Sequence, residues 1–148
     1  MRHIITAILL CISNISYAFD DADIVFSYKH SMRINNNHVV IYYNKNQTTL
    51  RVVEKILNGK ESSRKVKITP EKTESINNLF KKINWDTVDP KPILGLDGHS
   101  WGIITKNIRK SVWVPSHRTT ERGLNDYLSL CMYLLKSTGL DENANEIK

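Results

Sequence analysis

LDGHSWGIITKNIRKSVWVPSHRTTERGLNDYLSLCMYLLKSTGL, residues 96–140, is the stretch whose reading decides the fold. Asp97, between Gly95 and Gly98, has turn chemistry. Ser100 to Lys106 and Arg109 to Val114 then read as two strands of a hairpin around a turn at 106–109, with Trp101 and Trp113 as near-partners. Pro115 has no N–H to give and ends the ladder. Thr119 or Thr120 supplies a helix cap and Glu121 a charge that suits the first turn. Leu124, Tyr127, Leu128, Cys131, Leu134 and Leu135 recur at spacings of three, four and seven, which puts them on one buried helical face. Gly139 stops the helix in left-handed backbone, and Leu140 folds back against it.

Upstream, the period changes from helix to strand. Between Ala22 and Arg33, Ile24, Phe26, Tyr28, His30 and Met32 alternate with Val25, Ser27, Lys29 and Ser31. That alternation is a half-buried strand. Asn35-Asn36-Asn37 supplies turn residues, and His38 to Tyr43 is β-branched and aromatic. Thr48 to Ile56 makes a third strand whose Glu54-Lys55 end is frayed or helical, and Arg64 to Thr69 a fourth. Thr69-Pro70-Glu71 then starts a helix, with a cap, a proline at the first helical position and a favourable charge. Ile76, Leu79, Phe80 and Ile83 form its apolar stripe, with Trp85 packed beyond its end. Asp89-Pro90-Lys91-Pro92 is a stiff linker. The order ββββαββα predicts an α+β fold, an antiparallel sheet of about six strands with both helices on one face.

The first residues have a different reading. Arg2 and His3 precede an apolar run from Ile4 to Ile12, and Ser16-Tyr17-Ala18 places small residues at the −3 and −1 positions of a cleavage site. This is the layout of a secretory signal peptide, residues 1–18. A bilayer span needs about 20 apolar residues, and no run after Ala18 reaches that. Removing residues 1–18 from the 148 leaves 130, which is one domain over 19–140 with a polar, flexible tail at 141–148. Cys131 then stands alone, so no internal disulfide forms; an unbridged exported domain of this size fits a bacterial periplasm. Without Arg2 the chain carries 20 Lys+Arg against 15 Asp+Glu. The excess is scattered, which reads as a solvated basic surface and not as a nucleic-acid interface.

Candidate chemistry is sparse. A hairpin centred near Asn107 and Ile108 places His99 opposite Ser116 or His117. Asp97, His99 and His117 would then be a possible divalent-metal set for a hydrolase. The plainer account makes Asp97-Gly98 a turn and His99 and His117 loop residues. His30 and His38 flank the first turn and would face each other across it if the hairpin aligned them, while the plainer account makes them solvated strand-end residues. Cys131 lies on the apolar helix face, where a thiol behaves as a small hydrophobe. No phosphate loop, nucleophile elbow or paired-glutamate set is present in the sequence.

Leu96-Asp97-Gly98-His99-Ser100-Trp101, Val112-Trp113-Val114-Pro115 and the leucine-rich Leu124–Leu140 together resemble a pattern in small exported proteins of Gram-negative bacteria. In those proteins an Asp-Gly-x-x-Trp turn, a strand ending Trp-x-Pro and a leucine-rich closing helix recur. Small periplasmic domains of this build include immunity proteins that neutralise antibacterial toxins. The resemblance implies a cofactor-free, non-enzymatic binding protein that blocks a toxin's active site. Its contacts would come from loops holding Asn36, Asp97, His99, His117 and Arg118, with His99 and Arg118 as anchors. The alternatives are the metal-dependent periplasmic hydrolase just described and an envelope accessory domain that binds glycan or lipoprotein.

Overall fold

Alternation of apolar and polar residues makes strands here because one side of each is buried and the other is not. The computed structural model describes residues 22–30, 38–55, 59–88, 98–115 and 124–140. The signal segment 1–18, the linker at 89–92, the Thr119 and Thr120 caps and the tail 141–148 lie outside the described residues. The strands are β1 (Ile24–His30), β2 (His38–Tyr43), β3 (Thr49–Lys55) and β4 (Glu61–Lys67), then β5 (Gly98–Ile104) and β6 (Arg109–Pro115). Helix α1 (Pro70–Lys82) separates the two groups, and α2 (Asn125–Ser137) closes the fold. The six strands form one sheet in the order β4-β3-β2-β1-β5-β6, antiparallel throughout. The expected α+β architecture is therefore the observed one. The sequence left open the position of β1, which becomes a central strand between β2 and β5.

One row across the sheet explains the core. Register aligns Arg64, Val52, Ile41, Phe26, Ile103 and Lys110 from edge to edge. The four middle side chains are fully buried beneath the helices. Each contributes about 1.5–3 kcal/mol relative to exposure. The two terminal cations reach over the core to backbone carbonyls: Arg64 Nη2 donates to Thr138 O at 2.8 Å, and Lys110 Nζ to Val88 O at 3.2 Å. Arg64 Nε also donates to Glu54 Oε1 at 3.2 Å. Glu54 and Lys55 are thus strand residues held by pairing with β4, not a frayed or helical end.

Helix α1 begins as its first residues predict. Thr69 Oγ1 accepts from Lys72 N at 3.3 Å, Pro70 occupies the first turn, and Lys81 and Lys82 occupy the last. Tyr43 Oη donates to Asn77 Oδ1 at 3.0 Å and ties α1 to β2. Trp85 bridges the helices, its ring 5.0 Å from Phe80 and 6.1 Å from Tyr127. Helix α2 differs from expectation at its start. Leu124 holds the cap position with no side-chain bond, so the helix opens at Asn125, past the threonines and Glu121. Burial of Leu124 at the seam fixes that end in place of a polar cap. Its C-terminus follows the prediction: Gly139 adopts φ +79° and Leu140 packs against the core.

The centre of the second hairpin lies one residue earlier than expected, which moves each cross-strand partner by two. Its loop is Thr105–Ile108, where Thr105 N donates to Ile108 O at 2.8 Å. Thr105 Oγ1 accepts from Ile108 N at 3.0 Å and Asn107 N at 3.3 Å. This threonine-anchored turn sets Ile104 opposite Arg109, hence His99 opposite Val114. His99 is therefore not opposite Ser116 or His117. The two tryptophans are not cross-strand partners. Trp101 pairs with Val112 beneath the helices, while Trp113 pairs with Ser100 on the other face. Gly98 is a strand residue, not a turn residue, and its missing Cβ makes room for Trp113; a Cβ there would sit 2.5 Å from both the indole and Val114 O.

Candidate functional site

Among the predicted contact residues, Asn36, Asp97, His117 and Arg118 lie outside the described residues. His99 is described, and the structure gives it unforeseen company. Antiparallel pairing of β1 with β5 sets His30 opposite His99, with ring centroids 4.5 Å apart and edge to face. Tyr28 Oη and His99 Nδ1 lie 2.8 Å apart, in a hydrogen bond whose direction the imidazole tautomer decides. Trp101 completes an aromatic run, 4.6 Å from Tyr28 and 5.9 Å from His99. His30 and His38 do not face each other. Lys29 is the partner of His38, so the two histidines point to opposite faces of the sheet. Among the described residues no group of three or more His, Cys, Asp or Glu side chains is arranged to hold a metal ion.

Cys131 is fully buried in α2, and burial pushes its thiol well above the ordinary range. Nearby, Tyr127 Oη donates to Trp101 O at 2.8 Å, with Lys110 O as a second acceptor at 3.2 Å. Burial first, then the Cys131 thiol, raises its phenol far above the usual value, so it stays a donor at every working pH. These groups fasten α2 to the last hairpin.

The helix-covered face leaves the other face of the sheet without a described element over it. Register arranges most of its side chains in three rows, with Lys67 beyond the first beside Thr49. The first runs Lys65, Arg51, Tyr42, Val25, Ile104, Arg109. The third runs Glu61, Lys55, His38, Lys29, Ser100, Trp113. Between them lies Ser63, Val53, Val40, Ser27, Gly102, Ser111, a row with no charge and no large side chain. Lys29, Arg51, Lys55, Lys65, Lys67 and Arg109 stand on this face against Glu61, which pairs with Lys55 at 2.9 Å. The Arg51 guanidinium lies 5.1 Å over the Tyr42 ring. Beside them is a depression of about 340 Å³ lined by Tyr42, Thr49, Arg51 and Lys65. Burial, then the charges of Lys55 and Lys29, holds the His38 imidazole below its ordinary pKa, with Glu61 opposing.

No family model matches the sequence, and no curated protein matches it. No described helix is long and apolar enough to cross a membrane. The open face was missed in the sequence because scattered cations become a patch only when strand register aligns them. The usable signal was the polar set Ser27-Lys29, Arg51-Lys55 and Lys65-Lys67, each alternating along its strand with residues that face the helices.

Proposed function

We propose that this chain is a periplasmic binding protein, an immunity protein that neutralises an antibacterial toxin by occluding its active site. The observation that supports this reading is the asymmetry of the sheet. One face is sealed by two helices, and the other presents six cations against one carboxylate with no described element above them. A broad, charged sheet face suits a macromolecular partner better than a small substrate. A standard interface buries about 800 Å² on each partner, and a six-stranded face can supply it. Co-purification with the secreted product of a neighbouring gene is expected. Growth rescue should follow when that product is sent to the periplasm. A chain that neither binds its neighbour nor rescues growth overturns the reading.

One observation favours a second reading, a metal-dependent hydrolase using Asp97, His99 and His117. His30 faces His99 at 4.5 Å and gives that end of the sheet a second imidazole. Stoichiometric zinc in purified protein, lost in a His99→Ala/His117→Ala double variant, is the result that supports it.

A further inference from the structure

The open face is a trough and not a uniform basic patch. Its two flanking rows lie four residues apart along each strand, about 14 Å at about 3.4 Å per residue. It crosses six strands, about 24 Å at about 4.8 Å per interval. The floor is small and uncharged, from Ser63 through Val53, Val40, Ser27 and Gly102 to Ser111. Arg51 and Lys65 stand on one flank, Lys29 and Lys55 on the other.

We infer that this trough seats an acidic α-helix of the partner protein, an inference that rests on the binding-protein reading. An α-helix is about 10–12 Å across, and about 16 residues of it span 24 Å. A helix satisfies its own backbone hydrogen bonds and can lie on a sheet face that offers none. An extended segment would need a sheet edge, and both edges are guarded: β4 carries Arg64, Lys65 and Lys67, and β6 carries Arg109 and Lys110 and ends at Pro115. Carboxylates on the two sides of such a helix reach the two cation rows, while its small residues rest on the serines and valines. A second copy of this chain is a poor occupant, because its own trough would bring cations against cations. A stacked nucleic acid is also disfavoured. The Tyr42 ring already lies under the Arg51 guanidinium, and the Trp113 indole lies over Gly98.

The test titrates isotope-labelled chain 19–148 with three probes. These are an 18-residue helical peptide with glutamates along both sides, a scrambled peptide of the same composition, and a single-stranded oligonucleotide of equal charge. Amide shifts are expected at Ser27, Val40, Val53 and Gly102 with the patterned peptide, and binding about tenfold weaker with the scramble. Lys29→Glu/Arg51→Glu/Lys65→Glu should weaken binding at least about tenfold, and Lys72→Glu/Lys136→Glu on the helix side by less than about twofold. Ser63→Trp/Ser111→Trp fills the trough without changing charge and should weaken binding as well, which keeps the test decisive if the triple variant does not fold. Shifts mapped elsewhere, equal binding of the scramble, tighter binding of the oligonucleotide, or indifference to the tryptophan variant overturns the inference. The same variants enter the growth-rescue assay. Trough variants that rescue like the parent chain remove the trough and leave the immunity reading standing, whereas failure of the parent chain removes that reading itself.

Discussion

The two faces of the sheet use the same strands for opposite ends. On the covered face the row through Val52, Ile41, Phe26 and Ile103 is apolar, and its charges stand at the edges, where Arg64 and Lys110 reach backbone carbonyls. On the open face the middle row is small, and charge lies in the rows on either side of it. The covered face carries stability, and the open face is the one we propose for recognition. A substitution should thus report which face it touches by whether it changes folding or binding.

The largest expected effect is on the covered face. Leu134→Ala in α2 leaves a cavity beneath a fully buried side chain and should cost about 3 kcal/mol in urea denaturation. Gly98→Ala is the substitution most able to break the comparison, because it lies on the open face and should still cost about 2 kcal/mol. Its Cβ would meet the Trp113 indole and an immovable carbonyl, so packing and not covering sets the cost; a shift in tryptophan emission checks it. Tyr127→Phe removes the hydroxyl that bridges two carbonyls of the last hairpin and should cost about 1–2 kcal/mol, read from the same denaturation curve.

The next effect is a change of slope with pH. The folded His38 imidazole has a pKa below its ordinary 6.5, so protons bind the unfolded chain more tightly. Its neutral form imposes no penalty above pH 6.5, and stability falls as pH drops through that value toward the folded pKa. His38→Gln should flatten that fall in melts between pH 7 and pH 5 while leaving stability at pH 8 nearly unchanged. The smallest effect is Lys65→Ala, which should stay within about 0.5 kcal/mol of the parent because the residue is exposed. A loss of binding without a loss of stability in that variant would sharpen the contrast between the faces.

Much of this was legible from local chemistry. Thr69, Pro70 and Gly139 mark helix ends through bonds made within a few residues, period-two alternation marks β1, and β-branched and aromatic content marks β2. What was not legible depended on register. The side chain of Thr105 moved the hairpin centre by one residue, and that single step took His99 away from Ser116 and His117. The pairing of His30 with His99 joins residues 69 apart in sequence, and only the insertion of β1 beside β5 creates it. Helix α2 opens after the buried Leu124, which makes no side-chain cap bond. The candidate site was hidden for the same reason, since its cations come from four strands.

Cys131 has a practical consequence. In a chain that starts at Phe19 it is the sole sulfhydryl, enclosed on every side by the leucines and tyrosine of the core. An alkylating reagent can reach it only when the closing helix lifts away, so the speed of its modification is a clock for breathing of the native state. Occupancy of the opposite side of the sheet by a partner should slow that clock across the full thickness of the molecule, with no label introduced.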